Sequence, residues 1–251
     1  MSKAIVILSG GQDSTVCLFW AKKRFEQVCA ITFDYGQRHA IEIEAARKVA
    51  EMAGVTDHEI IRVPDILVST SPLTSDNELE RYESAEQMEQ VIGTRVELTF
   101  VPMRNAFFLT VGMNRAVAKG ADALITGICQ EDNANYPDCT DRFRDYFEWM
   151  ANVSLGLRTD ENGISVLAPL MYLSKAETCL LGAELEGCTE ALAYSHTSYD
   201  GKYPPTDMNH SNVLRAHGFA VAGIPDPLVV RAWREGLMPL PLTSNYNELR
   251  G

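Results

Sequence analysis

The beginning of this chain restricts its fold more than any other stretch. Five aliphatic residues, Ala4-Ile5-Val6-Ile7-Leu8, run unbroken into Ser9-Gly10-Gly11-Gln12-Asp13-Ser14, and a helical pattern follows at once. An unbroken aliphatic strand is one covered on both faces. The helix predicted over Thr15 to Arg24 places Cys17, Leu18, Ala21 and Phe25 together. The pattern then repeats. Val28 to Phe33 reads as a second strand ending in Asp34-Tyr35-Gly36. About Arg38 to Ala53 reads as a helix with the stripe Ile41, Ala45, Val49 and Met52, and Glu59 to Val63 as a short strand stopped by Pro64. Alternating strands and helices predict an α/β fold on a doubly wound parallel sheet. Ligands of such sheets sit beyond the carboxyl ends of the strands, where Ser9-Gly10-Gly11 and Asp34-Tyr35-Gly36 both fall.

Residues 65–97 are polar and lack a strong period, so they read as an insertion with a short helix near Glu83 to Ile92, a cover over the site. The pattern resumes with a helix over Asn105 to Ala118, a strand over Ala123 to Cys129 and a helix over Asp141 to Leu157. A further helix over Ser174 to Glu186 opens with Ser174 as N-cap and Glu177 three residues on, the spacing of a capping box. From Tyr194 the chain is richer in Pro, Asn, His and Gly. The organisation predicted is a main domain over residues 1–190, carrying the 65–97 insertion, and a small helical C-terminal subdomain over 191–251.

With 22 Lys and Arg against 34 Asp and Glu, the 251-residue chain has a net charge of −12. That excludes non-specific binding to nucleic acid or an anionic membrane, which needs many cations. It leaves open a small anion held by a few local groups. The six cysteines contain no C-x-x-C pair and read as reduced core thiols, and the first apolar run is too short for a signal peptide or a membrane helix. The expected compartment is the cytoplasm.

The sharpest local feature is S-G-G-Q-D-S at residues 9–14. Two glycines let the backbone turn tightly and approach a ligand, and the helix behind them offers unpaired N–H groups and its positive pole. With the Ser9 and Ser14 hydroxyls these form an anion cradle. The alternative is a plain strand-to-helix turn. Neither G-x-x-x-x-G-K-[ST] nor G-x-G-x-x-G is present.

The string resembles the pyrophosphate loop of the ATP pyrophosphatase (PP-loop) superfamily. Further stretches narrow the resemblance: Phe33-Asp34-Tyr35-Gly36-Gln37-Arg38-His39, Phe100-Val101-Pro102-Met103-Arg104-Asn105, Ile125-Thr126-Gly127-Ile128-Cys129, Tyr136-Pro137-Asp138-Cys139, and Pro169-Leu170-Met171 through Lys175-Ala176-Glu177-Thr178. Together they resemble the 7-cyano-7-deazaguanine synthase family of queuosine biosynthesis, from about residue 3 to about residue 227. The resemblance implies an adenine nucleotide alpha hydrolase-like fold and an ATP-dependent carbon–nitrogen ligase. By the same resemblance 7-carboxy-7-deazaguanine is adenylated, amidated with ammonia and, after a second activation, dehydrated to the nitrile. It also implies ATP and Mg²⁺ as cofactors and a homodimer.

Carried onto this sequence, the resemblance places ATP against Ser9, Gly10, Gly11, Gln12, Asp13, Ser14, Phe33, Arg38 and Gly127. Asp13, Lys175 and Arg104 become the catalytic candidates, with Asp13 helping to place Mg²⁺ and the two cations neutralising phosphate charge. A solvated surface position is the alternative for either cation. Tyr35, Gln37, Asn105, Tyr136 and Asp138 are the substrate candidates. Asp138 is chosen because a carboxylate can accept from both N1–H and the exocyclic amine of a guanine-like ring. Tyr136 and Phe107 either stack on that ring or pack in the core. His39 is either an acid–base group or a structural hydrogen-bonding residue, and nothing local marks Cys139 as a nucleophile.

The sequence departs from the family in three places. The resemblance implies a structural zinc on four cysteines, but the matching positions are Ser198, Thr206, Asn209 and Asn212. Hydroxyls and amides are poor zinc ligands, so zinc is expected to be absent, with His196, His210 and His217 remaining nearby. Met103 stands where the family has glycine, and Gln130 to Asn135 differs from the usual E-T-D-x-S-G. Two alternatives therefore stay open: a relative that passes the adenylate to an amine on a macromolecule, such as a protein N-terminus in an antiviral defence or modification system, and a non-catalytic nucleotide-binding module.

Overall fold

Both faces of the first strand are buried, as its aliphatic run requires. In the computed structural model, which describes residues 2–36, 41–64, 66–75, 77–131, 135–158, 160–199 and 201–251, β1 is Lys3–Ile7. Ala4, Val6 and Leu8 pack into one core, and Ile5 into another on the opposite face. The chain continues through α1 (Gln12–Lys22), β2 (Gln27–Asp34), α2 (Ile41–Met52), β3 (His58–Arg62), α3 (Ala85–Ile92), α4 (Arg104–Lys119) and β4 (Ala123–Ile125). It then runs through α5 (Asp141–Ser154), β5 (Ser165–Leu167), α6 (Lys175–Glu184), α7 (Cys188–Leu192), α8 (His210–Ala222), α9 (Pro227–Arg234) and α10 (Asn247–Arg250). The five strands are parallel in the order β3-β2-β1-β4-β5. Helices α1, α2 and α7 cover one face, and α4 and α5 the other. This is the predicted doubly wound sheet. The strand order reverses at β1, so the crevice between the carboxyl ends of β1 and β4 is the switch point where ligands collect.

The structure corrects several boundaries. Helix α1 starts at Gln12, not Thr15, so Asp13 and Ser14 belong to its first turn and Gly11 is its N-cap. The β4 strand ends at Ile125, not Cys129. Thr126 to Cys129 leave the sheet and turn along the crevice, and burial there explains their apolar character. The sequence showed no sign of β5, which is three residues long and begins with an exposed serine. Gln37, Arg38 and His39 lie outside the described residues.

Within residues 65–97, Tyr82, Ala85, Met88 and Ile92 form a small core with Val213 and Leu214 of α8. The Tyr82 N–H donates to the Met208 carbonyl at 2.8 Å, and Arg81 pairs with Asp207 at 2.9 Å. The C-terminal residues are anchored by a buried ion pair. Arg215 donates to both carboxylate oxygens of Asp226 at 2.7 and 2.8 Å, and to the Ser195 and Thr197 hydroxyls.

Three of the four residues at the family's zinc-ligand positions meet. Asn212 and Asn209 donate side-chain N–H to the Ser198 hydroxyl at 2.8 and 3.3 Å. The Asn209 side-chain oxygen accepts from the Asn212 N–H and the Ser211 hydroxyl. Thr206 is exposed and has no hydrogen bond to the other three. This donor set does not fit zinc: it holds no thiolate, only hydroxyls and amides, and the Ser198 and Asn209 side-chain oxygens already accept hydrogen bonds within the loop. The histidines do not converge either. The His196 ring bonds the Ser198 carbonyl, and His217 stands seven residues beyond His210 on α8, roughly 10 Å along the axis. The His196 N–H donates to the Gly10 carbonyl at 2.8 Å, which ties this polar knot to the first loop.

Met103 adopts a left-handed backbone (φ 64°, ψ 4°) at the N-cap of α4, and its side chain points to solvent. Left-handed backbone costs a residue with a Cβ roughly 1–2 kcal/mol, which is the physical reason for glycine there.

Two outcomes are expected. Met103→Gly should raise the unfolding free energy by about 1 kcal/mol in denaturant melts. Dialysis against EDTA should leave the melting temperature unchanged, whereas Asn212→Ala should cost about 1–3 kcal/mol by leaving the Asp207 carbonyl without its donor. Stoichiometric zinc in the purified protein, or melting on chelation, would show that the knot does not hold this loop.

Candidate functional site

A cavity of about 290 Å³ opens at the switch point, lined by the first loop, the ends of β2 and β4, and the first turns of α2, α4, α6 and α8. One end is built by the loop. Gly10 has φ +86°, and a Cβ on it would lie 2.4 Å from the Glu42 carbonyl, so only glycine lets α2 come this close. Ser9 and Ser14 hydroxyls bond each other at 3.0 Å, and Ser9 Oγ also accepts the Gly11 N–H. They shape the cradle from within. The N-cap residue Gly11 has no side chain to cap α1, so the positive pole of that helix is turned to the cavity. Gln12 turns its amide to Cys179 Sγ at 3.1 Å, placing that side chain against α6. Gly127 lies against Asp13 and Ser14.

Lys175 is not a solvated surface cation. Its side chain is 9% exposed and its ammonium lies 3.0 Å from each carboxylate oxygen of Asp13. The predicted capping box is present: Ser174 Oγ accepts the Glu177 N–H, and the Glu177 carboxylate accepts the Ser174 N–H. That cap fixes Lys175 as the first residue of α6. Gly218 of α8 presses on it, since a Cβ there would lie 2.5 Å from Lys175 Cγ.

The other end is aromatic and holds Arg104. Phe33 stacks on Phe108 at 4.2 Å, and both line the cavity with Tyr35, Tyr136 and Tyr199. Phe107 packs against Phe33 and Phe108, is half-buried and does not line the cavity, so it belongs neither to the ring pocket nor to the buried core. Burial opposes the Arg104 charge, yet the oxygens of Tyr35, Tyr136, Tyr199 and Asp138 hold its pKa above the ordinary value. Asn105, Tyr136 and Cys139 line the wall. Asp138 is buried beside them and does not itself line the cavity. Its carboxylate accepts the Asn105 N–H at 3.3 Å, and Asn105 Nδ2 donates to its carbonyl at 3.1 Å. Burial pushes the Asp138 carboxyl up, with Arg104 and Asn105 pulling it down.

Among the lining residues that the sequence reading of the site missed, three stand out chemically. Tyr199 follows Ser198 in a stretch read only as a zinc flank. His210 was noted only as a possible metal ligand. Glu42, in the first turn of α2, looks like any acidic residue at a helix start. Burial in the cavity pushes its carboxyl up to about 7, against the pull of Arg104. The close packing of α2 on Gly10 brings this first turn to the cavity wall.

The arrangement therefore has a phosphate-sized cradle with a buried cation at one end and a flat aromatic pocket with an arginine at the other. Among the described residues no single helix is long and apolar enough to cross a membrane. The sequence matches the model of the family described as "Queuosine biosynthesis protein QueC" over residues 3–223. It is 45% identical over 231 residues to the 7-cyano-7-deazaguanine synthase of Gloeobacter violaceus, covering 91% of this chain and 96% of that one. It is 45% identical over 235 residues to the enzyme of that name from Chromobacterium violaceum, covering 93% and 95%. Among solved structures it is distantly similar to the U34-tRNA thiolase NcsA of Methanococcus maripaludis, with TM-score 0.41 and 17% identity over 94% of this chain and 72% of that one. With the switch-point cavity and the S-G-G-Q-D-S cradle in place, the family-model match over residues 3–223 and the two relatives at 45% identity show that the chain belongs to the QueC family.

Proposed function

We propose that this chain is a 7-cyano-7-deazaguanine synthase, an ATP-dependent carbon–nitrogen ligase of the cytoplasm. Near-complete coverage of relatives bearing that name is the observation that carries the reading. The six free cysteines agree with a reducing compartment. In this reading the phosphates of ATP lie on the α1 N-terminus within Ser9 to Ser14, with Phe33 and Gly127 alongside. The deazaguanine lies between Tyr35 and Tyr136, its pyrimidine edge toward Asn105 and Asp138. The 290 Å³ cavity is small for both molecules at full length, but its open side extends toward solvent.

The substrate carboxylate attacks the α-phosphorus, and the bond to pyrophosphate breaks with its electron pair leaving on pyrophosphate. Lys175 then shifts from Asp13 to the departing phosphates, and Arg104 holds the acyl end. A well-placed donor of this kind contributes about 3–4 kcal/mol to the transition state. The Asp13 carboxylate, a hard oxygen donor facing the cavity, would hold Mg²⁺, which supplies charge neutralisation on the pyrophosphate when bound. Ammonia adds to the acyl carbon, and AMP leaves with the C–O electron pair. Glu42 accepts the proton released from nitrogen. After a second activation, at the amide oxygen, the nitrogen loses its two remaining protons as AMP leaves and the nitrile forms.

A homodimer belongs to the same reading. Helix α5 exposes Tyr146, Trp149, Met150 and Val153 at helical spacing, an apolar stripe of the kind a second copy covers.

Incubation with ATP, Mg²⁺, ammonium and 7-carboxy-7-deazaguanine should yield AMP, pyrophosphate and the nitrile by mass. AMP formed only when a macromolecular amine is added would support the diverged acceptor instead, and no AMP with any deazaguanine would end the reading. The Glu42 role makes a pH prediction. Its carboxylate, faced by Arg104, Tyr35 and Tyr199, is the basic form, so the rate ratio of wild type to Glu42→Gln should rise as pH increases through about 7. A flat ratio from pH 5.5 to 8.5 would remove Glu42 from the chemistry.

A further inference from the structure

His210 presents a buried polar atom with nothing to bind. The residue is 5% exposed, and among the described residues its Nε2 has no hydrogen-bond partner. Buried polar groups are almost always paired, and leaving one orphaned costs about 1–3 kcal/mol. The atom therefore calls for a ligand, and its surroundings say which kind.

His210 is the first residue of α8 and lines the cavity together with Ser211. Asn209 caps this helix, but its side-chain oxygen takes the Asn212 N–H and leaves the N–H groups of His210 and Ser211 at the positive pole. The same helix presses on α6 at Gly218, directly against Lys175, which reaches Asp13 of the loop. The first turn of α8 is tied to the first loop by another route: Asn209 and Asn212 hold the Ser198 hydroxyl, the Ser198 carbonyl meets the His196 ring, and the His196 N–H donates to the Gly10 carbonyl. Two helix poles and the Lys175 ammonium thus line one cavity, a combination that favours a multiply charged anion. Burial and Lys175 keep the imidazole uncharged, with Glu97 opposing, so one ring nitrogen carries a proton and the other accepts.

We propose that His210 Nε2 donates a hydrogen bond to a phosphate oxygen of the nucleotide, making the N-terminus of α8 the second wall of the phosphate site. This rests on the ATP reading above and adds a contact from outside the S-G-G-Q-D-S loop. The α8 wall is held in place by the polar knot of Ser198, Asn209 and Asn212. The region that departs most from the family in its cysteines thus also grips the nucleotide.

The test separates the phosphates from the rest of the nucleotide. Calorimetric titrations with Mg²⁺-pyrophosphate and with AMP are run on wild type, His210→Leu and His210→Gln. A hydrogen bond to a charged group corresponds to roughly a 10- to 100-fold loss. His210→Leu should weaken pyrophosphate by that factor, change AMP by less than about twofold and raise the KM for ATP, while its melting temperature holds or rises. His210→Gln, whose amide N–H reaches the place of Nε2–H, should recover most of the pyrophosphate affinity. On wild type, pyrophosphate should also move the His210 imidazole resonance in an NMR titration, a readout that stands even if the leucine variant does not fold. Unchanged pyrophosphate binding in His210→Leu, equal losses for pyrophosphate and AMP, or an unmoved imidazole resonance would overturn the proposal. Wild type that fails to bind pyrophosphate at all would mean instead that the nucleotide reading itself is wrong.

Discussion

The ion pair between Lys175 and Asp13 joins α6 to the first loop at the phosphate-sized end of the cavity, and much of the structure exists to hold it. A lysine at the first position of a helix is set against the helix dipole. Here the capping box of Ser174 and Glu177 fixes the backbone, Gly218 allows α8 to press on the side chain, and Asp13 supplies the opposite charge. The pair neutralises a buried ammonium while the cavity is without substrate. It also holds that ammonium one hydrogen bond away from where a polyphosphate would lie. In a chain of net charge −12, such local placement is how a polyanion can be captured against the overall field.

The cavity has two chemically different ends because the strand order reverses at β1. On the β4 side, close-packed backbone and helix poles favour phosphate. On the β2 side, Tyr35, Phe33 and Phe108 make a flat apolar surface around Arg104. Glu42 is drawn toward the junction by the contact between α2 and Gly10, so one glycine serves both the phosphate turn and the placement of a carboxyl whose burial raises its pKa.

The loss of the family's cysteines leaves the loop after α7 ordered by other means. Ser198, Asn209 and Asn212 meet where thiolates would, and hydrogen bonds take the place of coordination. Each bond is individually weak, yet the network is buried, where unpaired groups are costly and paired ones specify a single arrangement. The same loop bonds the Gly10 carbonyl through the His196 N–H, so its order bears directly on the phosphate turn.

The alternation of aliphatic strands and amphipathic helices determined the parallel sheet, because period and run length report burial on one or two faces. The run S-G-G-Q-D-S determined where the site lies, because glycines and hydroxyls at a strand-to-helix turn have few other uses. The capping box of α6 was legible for the same local reason. Strand β5, with only three residues, carried no period to read, and the end of β4 was hidden by apolar residues buried beside the cavity. Glu42, His210 and Tyr199 looked like ordinary helix-start and loop residues. Only the tertiary structure decided that they share a cavity with Lys175 and Arg104, because their positions depend on contacts between segments more than 30 residues apart. What is encoded in neighbouring residues the sequence settled by itself. What arises from burial and from the approach of distant elements the fold alone decided.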